Sequence, residues 1–352
     1  MKKIIALLLA LIMVMGLATV VSAEGETTAP TTHADMSTVV IEKWFNNPNK
    51  GVSPAETFDF TIKFDGVTDA GVEYNKDTQA LPTVASVSFE EGDAGKVVIN
   101  NGVEYKCKRE VVVTLPAYNA VGIYTYTINE VEKDTAGVTY NTDDIKLVVT
   151  VIEQDGKVRV AAVHAENTAK NPATDKDNRI FNIYESGTLA ITKEVTGNLG
   201  DQEKEFDVTV TFTAPAGEYV RAPITYIVDG EEKVAVAASK TEGWTGSKEV
   251  KISLKHDETI TFKNIPEGVT YTVVEADYTG EGYDAAKYTF SDEGKVVNTG
   301  AASDNDDTVL ITNNKEADVD TGVFMDSVPF VVMAVVAVLG VVAITAKKRV
   351  QE

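Results

Sequence analysis

Thr188-Leu189-Ala190-Ile191-Thr192-Lys193-Glu194-Val195 alternates apolar and polar residues with a period of two. An extended chain imposes that period, because successive side chains of a strand point to opposite faces. Leu189, Ile191 and Val195 share one face, while Thr188, Thr192 and Glu194 take the other; Lys193 falls on the apolar side. The stretch Val39-Val40-Ile41-Glu42-Lys43-Trp44-Phe45 behaves alike, placing Lys43 in line with Val39, Ile41 and Phe45.

From Thr38 onward the chain consists of short alternating runs of Val, Ile, Thr, Tyr and Phe. Asn101-Gly102, Asp155-Gly156 and Asp229-Gly230 supply hairpin turns between them. Helical periodicity is absent outside the two hydrophobic ends, so the expected fold is all-β. The body also repeats in order. Phe58-Asp59-Phe60-Thr61-Ile62-Lys63-Phe64 corresponds to Phe206-Asp207-Val208-Thr209-Val210-Thr211-Phe212. Tyr126-Thr127-Ile128-Asn129-Glu130 corresponds to Tyr271-Thr272-Val273-Val274-Glu275, and Ile180-Phe181-Asn182 to Ile311-Thr312-Asn313. Two tandem β-sandwich domains are expected, over 36–185 and 187–316, with Glu185-Ser186-Gly187 as a short joint.

The ends place this body outside a cell. Lys2 and Lys3, an apolar run from Ile4 to Val21 and the exit Val21-Ser22-Ala23 form a signal peptide over 1–23, followed by a flexible Thr-rich leader over 24–35. Residues 317–352 hold an uncharged membrane-spanning stretch, 328–346, and a basic tail, 347–349, that would stay in the cytoplasm. The formal charge of −22 comes without a Lys/Arg cluster, so a phosphate backbone would be repelled and nucleic acid is excluded as a partner. The single Cys107 rules out an intramolecular disulfide and reads as a small packed side chain. His33, His164 and His256 are far apart, which leaves no metal signature, no evident catalytic triad and no cofactor site. Asp304-Asn305-Asp306-Asp307 reads as a solvated loop, since a calcium loop counted from Asp304 would need glycine where Val309 stands. Trp44 and Trp244 read as core or rim aromatics.

Six polar residues remain on apolar faces. Lys43 and Lys193 are joined by Glu130, in parity with Tyr124, Tyr126 and Ile128, and by Glu275, in parity with Tyr271 and Val273. Asn182 follows Ile180 in parity, and Asn313 follows Val309 and Ile311. Taken singly, each has an ordinary explanation: a lysine that snorkels to the strand end, a solvated glutamate, an asparagine that opens a turn. Together they recur in the order Lys, Glu, Asn, with separations of 87 and 52 residues in the first half and 82 and 38 in the second. Burial lowers a lysine pKa and raises a glutamate pKa, so a neutral amine and a protonated acid can coexist. The amine is then a nucleophile, the asparagine carbonyl an electrophile and the glutamate a proton shuttle, and close packing favours a Lys-Asn isopeptide bond with loss of ammonia. Such a protein is its own substrate, reacting once, and not an enzyme.

The Tyr124-Thr125-Tyr126-Thr127-Ile128-Asn129-Glu130 segment, Gly137-Val138-Thr139-Tyr140 and Asn182-Ile183-Tyr184 resemble the isopeptide-linkage domain of streptococcal shaft pilins. Leu189 to Asn198 and Ile311-Thr312-Asn313-Asn314-Lys315 resemble the collagen-adhesin B-type (CnaB-like), Ig-like sandwich of related surface proteins. The resemblance implies bonds Lys43–Asn182 and Lys193–Asn313, assisted by Glu130 and Glu275. It further implies a Gram-positive, wall- or membrane-anchored shaft subunit of a pilus polymerised by a sortase, with other pilin subunits and peptidoglycan as partners. The tail is similar to a cell-wall sorting signal. Val319-Asp320-Thr321-Gly322 lacks the proline of the usual motif, and cleavage would fall between Thr321 and Gly322. Lys170 and Lys176 are the candidate pilus-linking lysines by position. The alternative function is a monomeric anchored adhesin that binds host protein or glycan.

Overall fold

The computed structural model describes residues 35–317 apart from 49–50, 73, 95–96, 100–101, 105–106, 169–177, 229, 240 and 291–305. The architecture is all-β, and the single helical element among the described residues is one 3-10 turn, Thr279–Glu281. The main strands of the first half are β1 (Thr38–Asn46), β2 (Phe60–Thr68), β3 (Lys108–Thr114), β4 (Gly122–Glu130), β5 (Ile145–Gln154), β6 (Lys157–Asn167) and β7 (Arg179–Tyr184). Those of the second are β8 (Ser186–Thr196), β9 (Phe206–Thr213), β10 (Ile224–Val228), β11 (Glu231–Val236), β12 (Ser247–Leu254), β13 (Thr259–Pro266), β14 (Thr270–Glu275), β15 (Lys287–Phe290) and β16 (Asp306–Asn314).

Each half is a two-sheet sandwich. In the first, a sheet ordered Val138–Thr139, β7, β1, β3, Thr83–Val84 faces a sheet ordered β6, β5, β4, β2. In the second, a sheet ordered β11, β10, β13, β8, β16, β15 faces a sheet ordered β12, β9, β14. Alternation does the sorting. Val39, Ile41 and Phe45 of β1 pack inward against Tyr124, Tyr126 and Ile128 of β4, and Leu189 and Ile191 of β8 pack against Val208, Val210 and Phe212 of β9. At the β5–β6 hairpin both turn residues have positive φ, 53° at Asp155 and 73° at Gly156, which is the turn that matches strand twist.

The first and last main strands of each half are parallel neighbours, β1 with β7 and β8 with β16. Parallel neighbours need a long crossover, and here the whole of each sandwich lies between them.

The connection between the halves is shorter than the expected three-residue joint. Ser186 and Gly187 already belong to β8, paired with Pro266 and Ile265, so only Glu185 separates β7 from β8. Its N–H donates to Gly137 O at 2.8 Å, and its carbonyl accepts from Glu267 N at 3.0 Å. A second correction concerns the acidic run at 304–307. Residues 304 and 305 lie outside the described residues, but Asp306 and Asp307 form the start of β16, where Asp307 accepts from the Tyr271 hydroxyl at 3.2 Å. Pairing with β8 draws them into the sheet despite their charge.

Candidate functional site: two buried Lys-Glu-Asn clusters

Register builds both clusters in the same way. Lys43 on β1 stands opposite Ile180 on β7, and Asn182 lies two residues farther along, opposite Phe45. Lys193 on β8 stands opposite Ile311 on β16, and Asn313 lies two residues farther along, opposite Val195. A two-residue step keeps both side chains on the inward face, along a diagonal of about 8 Å that an extended lysine can span. The glutamates arrive from the facing sheet as the last residues of β4 and β14.

In the first cluster Lys43 Nζ donates to both Glu130 Oε2 and Asn182 Oδ1, and Asn182 Nδ2 donates to Glu130 Oε1. The three side chains form a closed ring, with those of Lys43 and Glu130 wholly shielded from solvent. The Phe58 ring covers Nζ at 4.2 Å from its centroid. Burial pushes the Lys43 amine down to about 8, against the opposing pull of Glu130.

The second cluster is looser. Lys193 Nζ donates to Asn313 Oδ1, to Glu194 O at 3.0 Å and to Ile311 O at 3.3 Å, while Glu275 Oε2 stands 3.4 Å away as an ion-pair partner. Burial lowers the Lys193 amine and raises the Glu275 carboxyl. The Phe206 ring covers Nζ at 4.3 Å. Each cluster therefore holds an amine driven toward its neutral form beside an amide carbonyl and a carboxyl group.

Phe58 and Phe206 are site residues that alternation did not single out. The signal lay in the repeat, where each opens a Phe-Asp pair. The aspartates brace the site in parallel: Asp59 accepts from Ser86 Oγ at 2.5 Å and Asp207 from Ser253 Oγ at 2.6 Å. The residue after each glutamate is tied to the same aspartate through the backbone, Val131 N to Asp59 O at 2.8 Å and Ala276 N to Asp207 O at 2.9 Å.

The remaining candidates fall elsewhere. The signal peptide, nearly all of the leader, Lys170, Lys176, Thr321, Gly322 and the 328–349 span and tail lie outside the described residues. Trp244 is core in the second sandwich, whereas Trp44 lies on the outer face of the first, stacked on Phe181 at 6.2 Å. Cys107 is buried. Among the described residues no group of three His, Cys, Asp or Glu side chains could hold a metal ion.

Two sandwiches, each with a Lys-Glu-Asn cluster between its first and last main strands, define a class of all-β structural proteins. Residues 39–185 match the family described as Spy0128-like isopeptide containing domain, and residues 187–315 match a domain of unknown function (DUF7601). The chain is 30% identical over 304 residues to a pilin of Streptococcus pyogenes serotype M1, covering 83% of this chain and 85% of that protein. The fold is shared with the crystal structure of the major pilin from Streptococcus pyogenes, at a TM-score of 0.53 and 22% identity over 81% of this chain and 100% of that one. The T-13 major pilin of the same species gives 0.52 and 22% over 80% and 98%. The chain belongs to the pilin family, and it is a structural subunit of a pilus.

Proposed function

We propose that this pilin is a shaft subunit in which each sandwich is closed by an autocatalytic isopeptide bond, Lys43 to Asn182 and Lys193 to Asn313. The observation that carries the reading is the shared register: in both halves lysine and asparagine sit on one diagonal between adjacent parallel strands, with a glutamate facing them. The neutral Nζ attacks the asparagine Cγ. In the first cluster Glu130 bridges both nitrogens, so it takes the proton from Nζ through Oε2 and returns one to Nδ2 through Oε1. The Cγ–Nδ2 bond breaks, ammonia leaves, and an amide joins the strands with no other reactant. Glu275, whose acid form burial favours, plays this part in the second cluster.

The bonds would serve as a load path. Tension entering at Lys43 leaves at Asn182 without extending residues 44–181, a segment that could otherwise pay out about 450 Å. The residues that would join subunits are Thr321 as acyl donor to a sortase, with Gly322 left on the leaving segment, and Lys176 or Lys170 as acceptor on the next subunit. Peptidoglycan would take the last Thr321, fixing the polymer to a Gram-positive surface.

Intact mass under denaturing conditions tests the chemistry on residues 24–317. Two bonds remove about 34 Da as ammonia and one removes about 17 Da, and Glu130→Ala and Glu275→Ala should each restore one loss. An unshifted mass in folded protein refutes the crosslinks. Polymer ladders from the cell wall that collapse with Lys176→Ala or Lys170→Ala support the shaft, and a persistent monomer that binds host protein or glycan supports an adhesin instead.

A further inference from the structure

The strand that carries Phe58, Glu56–Phe58, is short and among the described residues pairs only with Val87–Phe89, outside both main sheets of its sandwich. Other contacts must therefore hold Phe58 over the Lys43 amine. Phe58 packs edge-on against Phe45, Phe89 and Tyr140. At the other end of the strand the buried Glu56 accepts at Oε2 from the Thr135 hydroxyl at 2.5 Å and at Oε1 from Thr57 N at 3.0 Å. Lys133 Nζ stands 3.9 Å from Oε1.

Thr135 is in turn held by the second sandwich. Arg221 Nη1 donates to the Thr135 hydroxyl, and Arg221 Nη2 donates to Asp134 at 2.9 Å. The backbone takes the same route, with Tyr219 N donating to Asp134 O at 2.7 Å and Ala136 N to Tyr219 O at 3.0 Å. Ala136 belongs to the core of the second sandwich and Ala222 to the core of the first, so each half completes the packing of the other. A continuous chain of contacts runs from Arg221 through Thr135 and Glu56 to Phe58 and ends over Lys43.

We infer that Arg221 and Thr135 are positioning residues for the Lys43–Asn182 crosslink, so that docking of the second sandwich completes the reactive site of the first. This inference rests on the proposed crosslink. Arg221 touches none of the reacting atoms. It orders the Thr135 hydroxyl, which can then donate to Glu56 while accepting from the guanidinium, and the anchored strand keeps the ring between Nζ and water. Without that ring the amine is hydrated and protonated more readily, with Glu130 the one charged side chain among the described residues in contact with it. The second cluster has its own aromatic cover, Phe206, on a main-sheet strand and needs no such relay.

The test uses protein recovered unfolded, and so unlinked, and refolded by dilution at pH 6 to 9. Samples quenched over time are digested, and both crosslinked peptides are quantified by mass spectrometry. Arg221→Ala and Thr135→Val should slow formation of the Lys43–Asn182 peptide about 5- to 10-fold. Their rate-against-pH curves should rise later by about one pH unit, because the amine drifts back toward an ordinary lysine. Thr135→Ser, which keeps the hydroxyl, should restore both rate and curve. The Lys193–Asn313 peptide in the same digests should form at the wild-type rate, reporting a correctly folded second sandwich. Unchanged rates and pH curves in both Arg221→Ala and Thr135→Val overturn the inference, as does equal slowing of the two crosslinks. If wild-type protein never yields the Lys43–Asn182 peptide, the crosslink reading itself fails, a result distinct from either of these.

Discussion

Replacing Asn182 with alanine removes the electrophile and leaves Lys43 as a free amine in the core. The crosslink would constrain a loop of 138 residues, residues 44–181. By the chain-entropy relation used for disulfides, a covalent tie of that length stabilises by about 5 kcal/mol. For a sandwich of this size each kcal/mol moves the melting temperature by about 3 °C, so Asn182→Ala should melt about 15 °C lower in the first sandwich. The free amine adds a signature in pH. Its folded pKa, about 8, lies below the ordinary value of 10.5, so between those limits the unfolded chain binds more protons than the folded one. The variant therefore gains stability as pH rises from 8 to about 10.5, by up to about 3 kcal/mol, and carries the full cost at and below pH 8. Wild-type protein should lack this slope, because in the proposed crosslink the Lys43 nitrogen is an amide. Differential scanning calorimetry at pH 7.5 and 9.5 reads both effects. A variant that melts within about 3 °C of wild type, with no difference in pH slope, would refute the reasoning.

The rate of the first crosslink in refolding wild-type protein should rise about tenfold between pH 6 and 7 and level off above about 8, since only the neutral amine attacks and its pKa is about 8; time-resolved intact mass checks this. Gly137→Ala should undock the sandwiches, because φ at this position is +77° and an added Cβ would lie 2.7 Å from Glu185 O. The strain is about 1 to 3 kcal/mol; small-angle scattering should show a longer, more variable particle, the Lys193–Asn313 bond should form at the wild-type rate, and the Lys43–Asn182 bond should form more slowly.

Alternation alone places Lys43 and Lys193 among core residues, because a strand's two faces can be read residue by residue. The same logic places Glu130, Glu275, Asn182 and Asn313, all of which the structure buries or shields. Asn182 is the least legible of the six, since Phe181 and Ile183 make β7 apolar on both sides; in the fold Ile183 is partly exposed on the outer face, and Asn182 is fully buried. The joint is deceptive in sequence because Ser186 and Gly187 carry the composition of a linker. The contacts that draw them into β8 come from Pro266 and Ile265, about 80 residues away.

The repeat, the strand period and the chemical character of the six polar residues were determined by the sequence by itself, since the period and the side-chain chemistry are local and the repeat is a likeness between segments that needs no contact between them. Register was decided only by the tertiary structure. Nothing local to residues 38–46 or 179–184 states that these strands lie parallel and adjacent, or that Lys43 falls opposite Ile180, where its amine can reach Asn182. The Phe58 cover and its route back to Arg221 belong to the same category. Such contacts join segments up to 139 residues apart, and their geometry exists only once both sheets and both sandwiches have packed.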